Sequence, residues 1–194
     1  MTMLIRRVPL FSMLTDAQAV SVADAVVKRR FKRGEVIVEQ GKKTNALFIL
    51  LNGRARVITS DSRGREVILA TLRPGDHIGE MSLIDDEPHS ATVRAEVQTD
   101  VLMLGRTEFA RCLPENSSMA YAVMRGLVQR LRQADRKIES LALMDVYGRV
   151  ARALLEFAVE EGDGTLLIRE RLSRQDIAKM VGASREMVSR VMKD

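Results

Sequence analysis

Residues 172–191 read Leu172-Ser173-Arg174-Gln175-Asp176-Ile177-Ala178-Lys179-Met180-Val181-Gly182-Ala183-Ser184-Arg185-Glu186-Met187-Val188-Ser189-Arg190-Val191. The spacing predicts two short helices joined by a tight turn. Ser173 is placed to cap the first helix, with Asp176 three residues on as in a capping box, and Leu172 and Ile177 can staple that start from outside. Ile177, Ala178 and Val181 supply an inner face, and Gly182 stands where the chain must leave the helix with a positive φ. Ser184 can cap the second helix, whose Val188 and Val191 return to the core at i, i+3 spacing. Arg185, Glu186, Ser189 and Arg190 are left on the outer face. This is the pattern of a helix-turn-helix whose second helix enters a DNA major groove. A plain helical hairpin with a solvated face would share the charges. The two caps, the turn glycine and the small Ala178 at the point of close approach favour the DNA-reading form.

Working outward, the chain has 194 residues, room for one large or two modest domains. Its 46% hydrophobic content is enough for a core. Aromatic content is 4% with no Trp, so a stacking platform for single-stranded bases is not indicated. The net charge of +5 fits an anionic partner. That charge is spread, with 17 basic against 15 acidic residues in 1–124 and 14 against 11 in 125–194, so the placement of the arginines says more than the total. The single cysteine, Cys112, excludes an intrachain disulfide framework and an iron–sulfur cluster held by this chain's own thiolates. Cys112 is expected to be a small buried residue beside Phe109 and Leu113. There is no apolar run of about 18 residues and no signal-peptide core, so a soluble cytoplasmic protein is expected.

Upstream the hydrophobic period changes twice. Residues 14–28 form the pattern of a short amphipathic helix capped by Thr15. From Phe31 to Gly105 the chain reads as short strands punctuated by turns. Asn52-Gly53 and Ser62-Arg63-Gly64 are hairpin signals, and Pro74-Gly75-Asp76 is a third turn. Strands this short and evenly spaced fit an antiparallel sandwich or barrel rather than βαβ units. Thr107 to Leu113 reads as a short helix, and a long helix follows from about residue 115 to 144. Its apolar positions Ala120, Met124, Leu127, Leu131, Ala134, Ile138 and Leu141 make a heptad seam of the two-stranded kind. A helix packed on its own domain would show a broader stripe, whereas Arg130, Arg132, Gln133, Arg136 and Lys137 leave a narrow one. Gly126 costs such a helix roughly 1 kcal/mol relative to Ala, which suggests close approach to something there. Asp145 is placed to cap a further helix running to about Glu160, followed by a turn at 161–164 and a short strand from Thr165 to Ile168.

A second cluster spans Pro74 to Val93. Gly79 allows close backbone approach at the start of a short helix, and free N–H groups there are a natural seat for phosphate. Glu80 can accept from ribose hydroxyls, with His89 and Ser90 returning opposite it. A capped loop bridging two strands would explain the same residues without a ligand.

The chain resembles the CRP/FNR (catabolite-activator) family of bacterial transcription regulators over residues 10–194. The likeness rests on residues 73–80 (RPGDHIGE), 90–95 (SATVRA), 141–151 (LALMDVYGRVA) and 173–190. It implies an α+β protein: a cyclic-nucleotide-binding antiparallel β-roll with flanking helices over 1–113, a dimerisation helix over 114–144, and a winged helix-turn-helix over 145–194. The family's two-stranded wing would follow Asp194, so this last domain is expected to be incomplete at its C-terminus. The resemblance also implies a homodimer through residues 120–141, double-stranded DNA with near-palindromic TGTGA-like half-sites, and RNA polymerase as a further partner.

The resemblance carries ligand roles onto Gly79, Glu80 and Ser90, where the pattern is kept. His89 stands where cAMP-binding members hold the arginine that clamps the cyclic phosphate. An arginine gives a permanent charge and a bidentate fork, whereas an imidazole gives at best one charged donor. The Thr-Ser pair that meets adenine in those members is Ala134-Asp135 here. Asp135 could accept from the N1–H and 2-amino edge of a guanine, and Arg132 and Arg136 could meet phosphate or a guanine edge. Cyclic di-GMP is therefore the first expectation for the effector, an unknown or absent effector the second, and weakly bound cAMP or cGMP the third.

On the reading helix, Arg185, Glu186 and Arg190 match the family's base-reading positions. Arginine suits guanine O6 and N7, and glutamate the cytosine N4 donor. Ser189 shares that outer face, while Arg174, Gln175 and Ser184 match phosphate-contacting positions that set register. A dimer would place two reading helices about 34 Å apart. Effector binding between the roll and the long helix would bias a two-state dimer. A cyclic-nucleotide-sensing subunit without DNA binding would share the roll but not residues 173–190. An enzyme is not expected, since His77 and His89 are the two histidines and no HExxH, nucleophile elbow or P-loop occurs. Neither a metal site nor a prosthetic group is expected.

Overall fold

The computed structural model describes residues 8–11, 14–115, 117–162 and 164–193. The chain divides into two compact units, Met1–Gly64 with Leu69–Gln129, and Arg65–Ile68 with Arg130–Asp194.

Two four-stranded sheets lie in the first unit, except that residues 66–68 of their fifth strand are grouped with the second. Strands β1 (Val27–Phe31), β3 (Ala46–Asn52), β6 (His77–Ile78) and β8 (Thr99–Gly105) form one in the order β1-β8-β3-β6. Strands β2 (Val36–Val38), β4 (Ala55–Ser60), β5 (Glu66–Leu72) and β7 (Thr92–Ala95) form the other in the order β2-β7-β4-β5. Pairings are antiparallel, as in Leu47 opposite Leu104 and Val57 opposite Val93. The short punctuated strands predict an antiparallel sandwich or barrel, and the family resemblance implies the roll found here.

The continuous apolar run of β3 has a physical reason. Ala46, Phe48 and Leu50 join Phe31, Ile37, Val93 and Val101 in a core between the sheets, whereas Leu47 and Ile49 join Val22, Leu102, Leu104, Phe109 and Val123 in a second core. With both faces covered, the strand is apolar from Ala46 to Leu51, and the polar Asn52 comes at its exposed end. The second core is closed by helix α1 (Asp16–Ala25), whose cap Thr15 makes the full reciprocal box with Gln18. The helix is shorter than expected: Val26 leaves it with extended backbone, and Val27 already pairs with Met103.

The Asn52-Gly53 turn corrects the hairpin expectation. Strands β3 and β4 lie in different sheets, so the turn carries the chain across the roll. Asn52 stays paired with Asp100, and the space above Gly53 is filled by the Gln98 carbonyl oxygen, 2.5 Å from where a Cβ would stand. The Ser62-Arg63-Gly64 turn does join neighbouring strands, β4 and β5.

Helix α2 (Glu80–Asp85) interrupts the strands, and α3 (Arg106–Glu115) precedes α4 (Ser117–Leu143). The expectation for Cys112 falls on a side chain outside those described. Within the first unit α4 packs Val123 and Leu127 on the second core. Leu127 is thus withdrawn from the predicted seam. The exposed apolar strip instead runs through Tyr121, Met124, Val128, Leu131, Ile138 and Leu141, with the exposed Asp135 in heptad phase with them.

In the second unit α5 (Val146–Leu155) is capped by Asp145, whose carboxylate accepts from the Gly148 N–H at 2.8 Å. It ends five residues earlier than expected. Ala158–Glu160 leaves as β9 and pairs with β10 (Leu166–Ile168), and between them the Gly164 N–H donates to the Glu161 carbonyl. Helices α6 (Arg174–Val181) and α7 (Arg185–Val191) follow, and Val150, Ile177, Ala178, Val181 and Val188 form their shared core with α5. Among the described residues, no helix is long and apolar enough to cross a membrane.

Candidate nucleic-acid interface and effector cassette

The helix pair α6–α7 is set by its ends. The Ser173 hydroxyl accepts from the Asp176 N–H at 3.1 Å and donates to the Asp176 carboxylate at 2.8 Å. The Ser184 hydroxyl accepts from the Met187 N–H at 3.2 Å. Gly182 closes α6 at φ 64°, a left-handed conformation that glycine adopts without strain. Val188 is fully buried and Val191 packs beside it, so α7 is fixed by one face only.

The other face is free. Arg185, Glu186 and Arg190 are exposed and Ser189 half-buried, and with Lys193 they line one shallow depression. Arg174 and Gln175 are exposed on the first turn of α6, and Ser184 is exposed at the cap of α7. All seven residues expected to touch DNA therefore belong to one helix pair. Lys193 was missed; it lies just past the helix, though its three-residue spacing from Arg190 marks the same side. Its own backbone N–H, then the Ser184 hydroxyl and the Arg185 charge hold the Glu186 carboxyl below the usual carboxylate range. It is an ionised acceptor at neutral pH, as readout of a cytosine amino group requires.

The second cluster lies where β6 meets α2. Gly79 has φ 95°, and a Cβ there would stand 2.6 Å from the Ala46 carbonyl oxygen. Only glycine lets the chain cross β3 this closely and deliver Glu80, fully buried, to the first turn of α2. The far end of α2 is strapped by Arg106, which sequence reading missed. Its guanidinium donates to the Ser82 carbonyl at 3.1 Å and to the Asp86 carboxylate at 2.8 Å. Lys43 and Arg106 together hold the Asp86 carboxyl below its ordinary range. A contact 20 or more residues away in sequence leaves no local signal.

His89 is buried against the segment 41–44. Its N–H donates to the Lys42 carbonyl at 2.9 Å, and its carbonyl accepts from the Gly41 N–H at 2.9 Å. Its ring Nε2 lies 2.7 Å from the Thr44 hydroxyl oxygen. Burial pushes the imidazole below its ordinary value, so it is neutral at neutral pH. Ser90 is exposed. Gly79, Glu80, His89 and Ser90 all belong to the first unit. Arg132, Asp135 and Arg136 lie in the second unit, exposed on α4. Among the described residues, no group of three acidic, histidine or cysteine side chains is arranged to hold a metal.

Comparison with known proteins assigns a family to both parts of the chain. Residues 28–116 match the family model of the cyclic nucleotide-binding domain, and residues 148–194 that of the Crp-like helix-turn-helix domain. The chain is 35% identical over 175 residues to the cAMP-activated global transcriptional regulator Vfr of Pseudomonas aeruginosa, covering 86% of this chain and 80% of that one. It is 31% identical over 170 residues to the cAMP-activated global transcriptional regulator CRP of Salmonella typhimurium, covering 84% and 80%. Among solved structures, the c-di-GMP responsive global regulator CLP of Xanthomonas campestris superposes with a TM-score of 0.80 at 25% identity, covering 92% of this chain and 90% of that one. The fold and sites define a cyclic-nucleotide-binding, DNA-binding regulator. The chain belongs to the CRP family of transcription regulators.

Proposed function

We propose that this regulator answers to cyclic di-GMP and acts as a homodimer that reads near-palindromic DNA. The observation that carries the effector choice is His89. A buried, neutral imidazole bonded to Thr44 stands where cAMP-binding relatives clamp a phosphate with arginine. It offers a phosphate one hydrogen bond and no charge, against the two charge-assisted bonds of a guanidinium. A ligand with guanine edges finds other partners. Asp135 is an exposed carboxylate suited to a guanine N1–H and 2-amino edge, flanked on its helix by Arg132 and Arg136. Gly79, Glu80 and Ser90 supply the backbone approach and polar groups for phosphate and ribose.

The dimer reading rests on the exposed apolar strip of α4, continued by Leu131, Ile138 and Leu141. Apolar side chains at heptad spacing on a solvent face are what a second copy covers. Effector binding then shifts the balance between two dimer states that differ in how their reading helices are held. Arg185, Glu186 and Arg190 read base edges, Arg174, Gln175 and Ser184 hold phosphates, and RNA polymerase is the expected downstream partner.

Calorimetric titration of the full chain with cyclic di-GMP, cAMP and cGMP tests the effector. The expected result is cyclic di-GMP binding that is lost in Asp135→Ala while the dimer persists. Tight cAMP binding with none for cyclic di-GMP would overturn it. The second reading is a cAMP regulator, favoured by the retained Gly79-Glu80 junction and by the cAMP-activated relatives.

A further inference from the structure

Three hydrogen bonds join the 41–44 segment to His89, two through backbone and one through the ring. The two backbone bonds, at residues 41 and 42, fix where the His89 Cα sits, and so bring its side chain to Thr44. Nothing in the family pattern of residues 73–95 points to Thr44, which lies 45 residues upstream of its partner. Its hydroxyl is nonetheless the group that holds one of the two ring nitrogens.

We infer that Thr44 is a positioning residue for the effector cassette: its hydroxyl donates to His89 Nε2, fixing the ring as the Nδ1–H tautomer. The inference deepens the effector reading above and rests on it. A neutral imidazole has one donor and one acceptor nitrogen. Which is which is set by the bond that the other nitrogen makes. A site for a phosphate ester needs a donor facing the ligand. With Nε2 committed to Thr44, that donor is Nδ1, and Nε2 must then be the acceptor. Thr44 O–H therefore gives the proton and Nε2 takes the bond. The cassette offers one directed N–H where arginine-bearing relatives offer a charged fork. This lowers its hold on a lone cyclic phosphate and leaves selection to the groups that read the base.

The test uses the full chain, labelled with ¹⁵N, and long-range ¹H–¹⁵N spectra of the imidazoles. The sequence holds two histidines, so a His77→Gln variant assigns the pair. Thr44→Ser keeps the hydroxyl, and Thr44→Val removes it at nearly constant volume. The wild type and Thr44→Ser are expected to show a single Nδ1–H tautomer, and Thr44→Val a mixture. Titration with cyclic di-GMP should weaken about tenfold in Thr44→Val, the loss of one buried hydrogen bond, and stay near wild type in Thr44→Ser. An Nε2–H tautomer in the wild type, or unchanged tautomer or affinity in Thr44→Val, would overturn the inference. A wild-type chain that shows the Nδ1–H ring yet binds no cyclic nucleotide would instead retire the effector reading. That outcome removes the cassette role of Thr44 and leaves its control of the ring intact.

Discussion

Gly126, in the middle of the long helix α4, faces the imidazole of His77. A Cβ at Gly126 would lie 2.7 Å from His77 Cε1 and 3.0 Å from Nε2. The ring is itself buried on β6, so it has little room to yield. The glycine that weakens the helix locally is the one that lets it close on the roll.

Gly126→Ala tests that contact. In a free helix the change gains about 1 kcal/mol. Here the added methyl meets a confined ring, and a net loss of roughly 1 kcal/mol or more is expected from overpacking. In a His77→Ala background the same change should stabilise. Urea unfolding of the four variants reads the cycle, and an equal effect in both backgrounds would remove the contact from the account.

The Gly79–Glu80 junction separates fold from ligand chemistry. Gly79→Ala combines a strained φ of 95° with a Cβ 2.6 Å from the Ala46 carbonyl, and should lose at least about 2 kcal/mol of stability. Glu80→Gln keeps the shape and should leave the melting temperature near wild type while weakening nucleotide binding about tenfold. A Glu80→Gln protein that binds as before would take Glu80 out of the site.

Acid should loosen the roll through His89. Its folded pKa lies below the unfolded value of 6.5 because burial disfavours the charged ring. The unfolded chain therefore binds the extra proton, so the stabilising contribution is complete above 6.5 and is lost as pH falls towards the folded value. His89→Gln should flatten this part of the pH profile of urea unfolding below about 6.5. An unchanged acid slope in the variant would assign the loss elsewhere.

The exposed strip on α4 predicts where assembly fails. Leu131→Asp and Ile138→Asp place charges on the solvent face and should convert a dimer to a folded monomer in sedimentation velocity. Leu127→Asp places one against the roll core and should unfold that unit instead. Dimers that persist in both of the first two variants would move the interface off this helix.

The reading helix predicts two kinds of DNA defect. Arg185→Ala should relax discrimination at one base pair by about 1–3 kcal/mol. Arg174→Ala should weaken all sequences alike and lower the salt slope by about one. Binding assays on matched and scrambled operators at several salt concentrations distinguish the two. A uniform loss in Arg185→Ala would demote it to a phosphate contact.

Local chemistry was enough for the sequence to determine the reading head. Ser173, Gly182 and Ser184 act on backbone within three or four residues of themselves, so caps, turn and outer face are legible without any tertiary contact. The roll was legible as a class for the same reason, since turn residues and strand length are local. Which turns close hairpins and which cross between sheets was not, because Asn52-Gly53 is redirected by Gln98 and Asp100, 45 and 48 residues on. The end of the helix after Asp145 was likewise set by the pairing of Ala158–Glu160 with Leu166–Ile168 rather than by period. On α4 the seven-residue repeat marked an apolar helix, but only packing could divide Val123 and Leu127, turned to the core, from Met124 and Leu131, left in solvent. At the cassette the sequence supplied Gly79, Glu80 and His89, and the tertiary structure alone supplied Thr44 and Arg106. Hydrogen bonds between distant segments depend on where two backbones meet, and that is decided by the whole roll rather than by either segment.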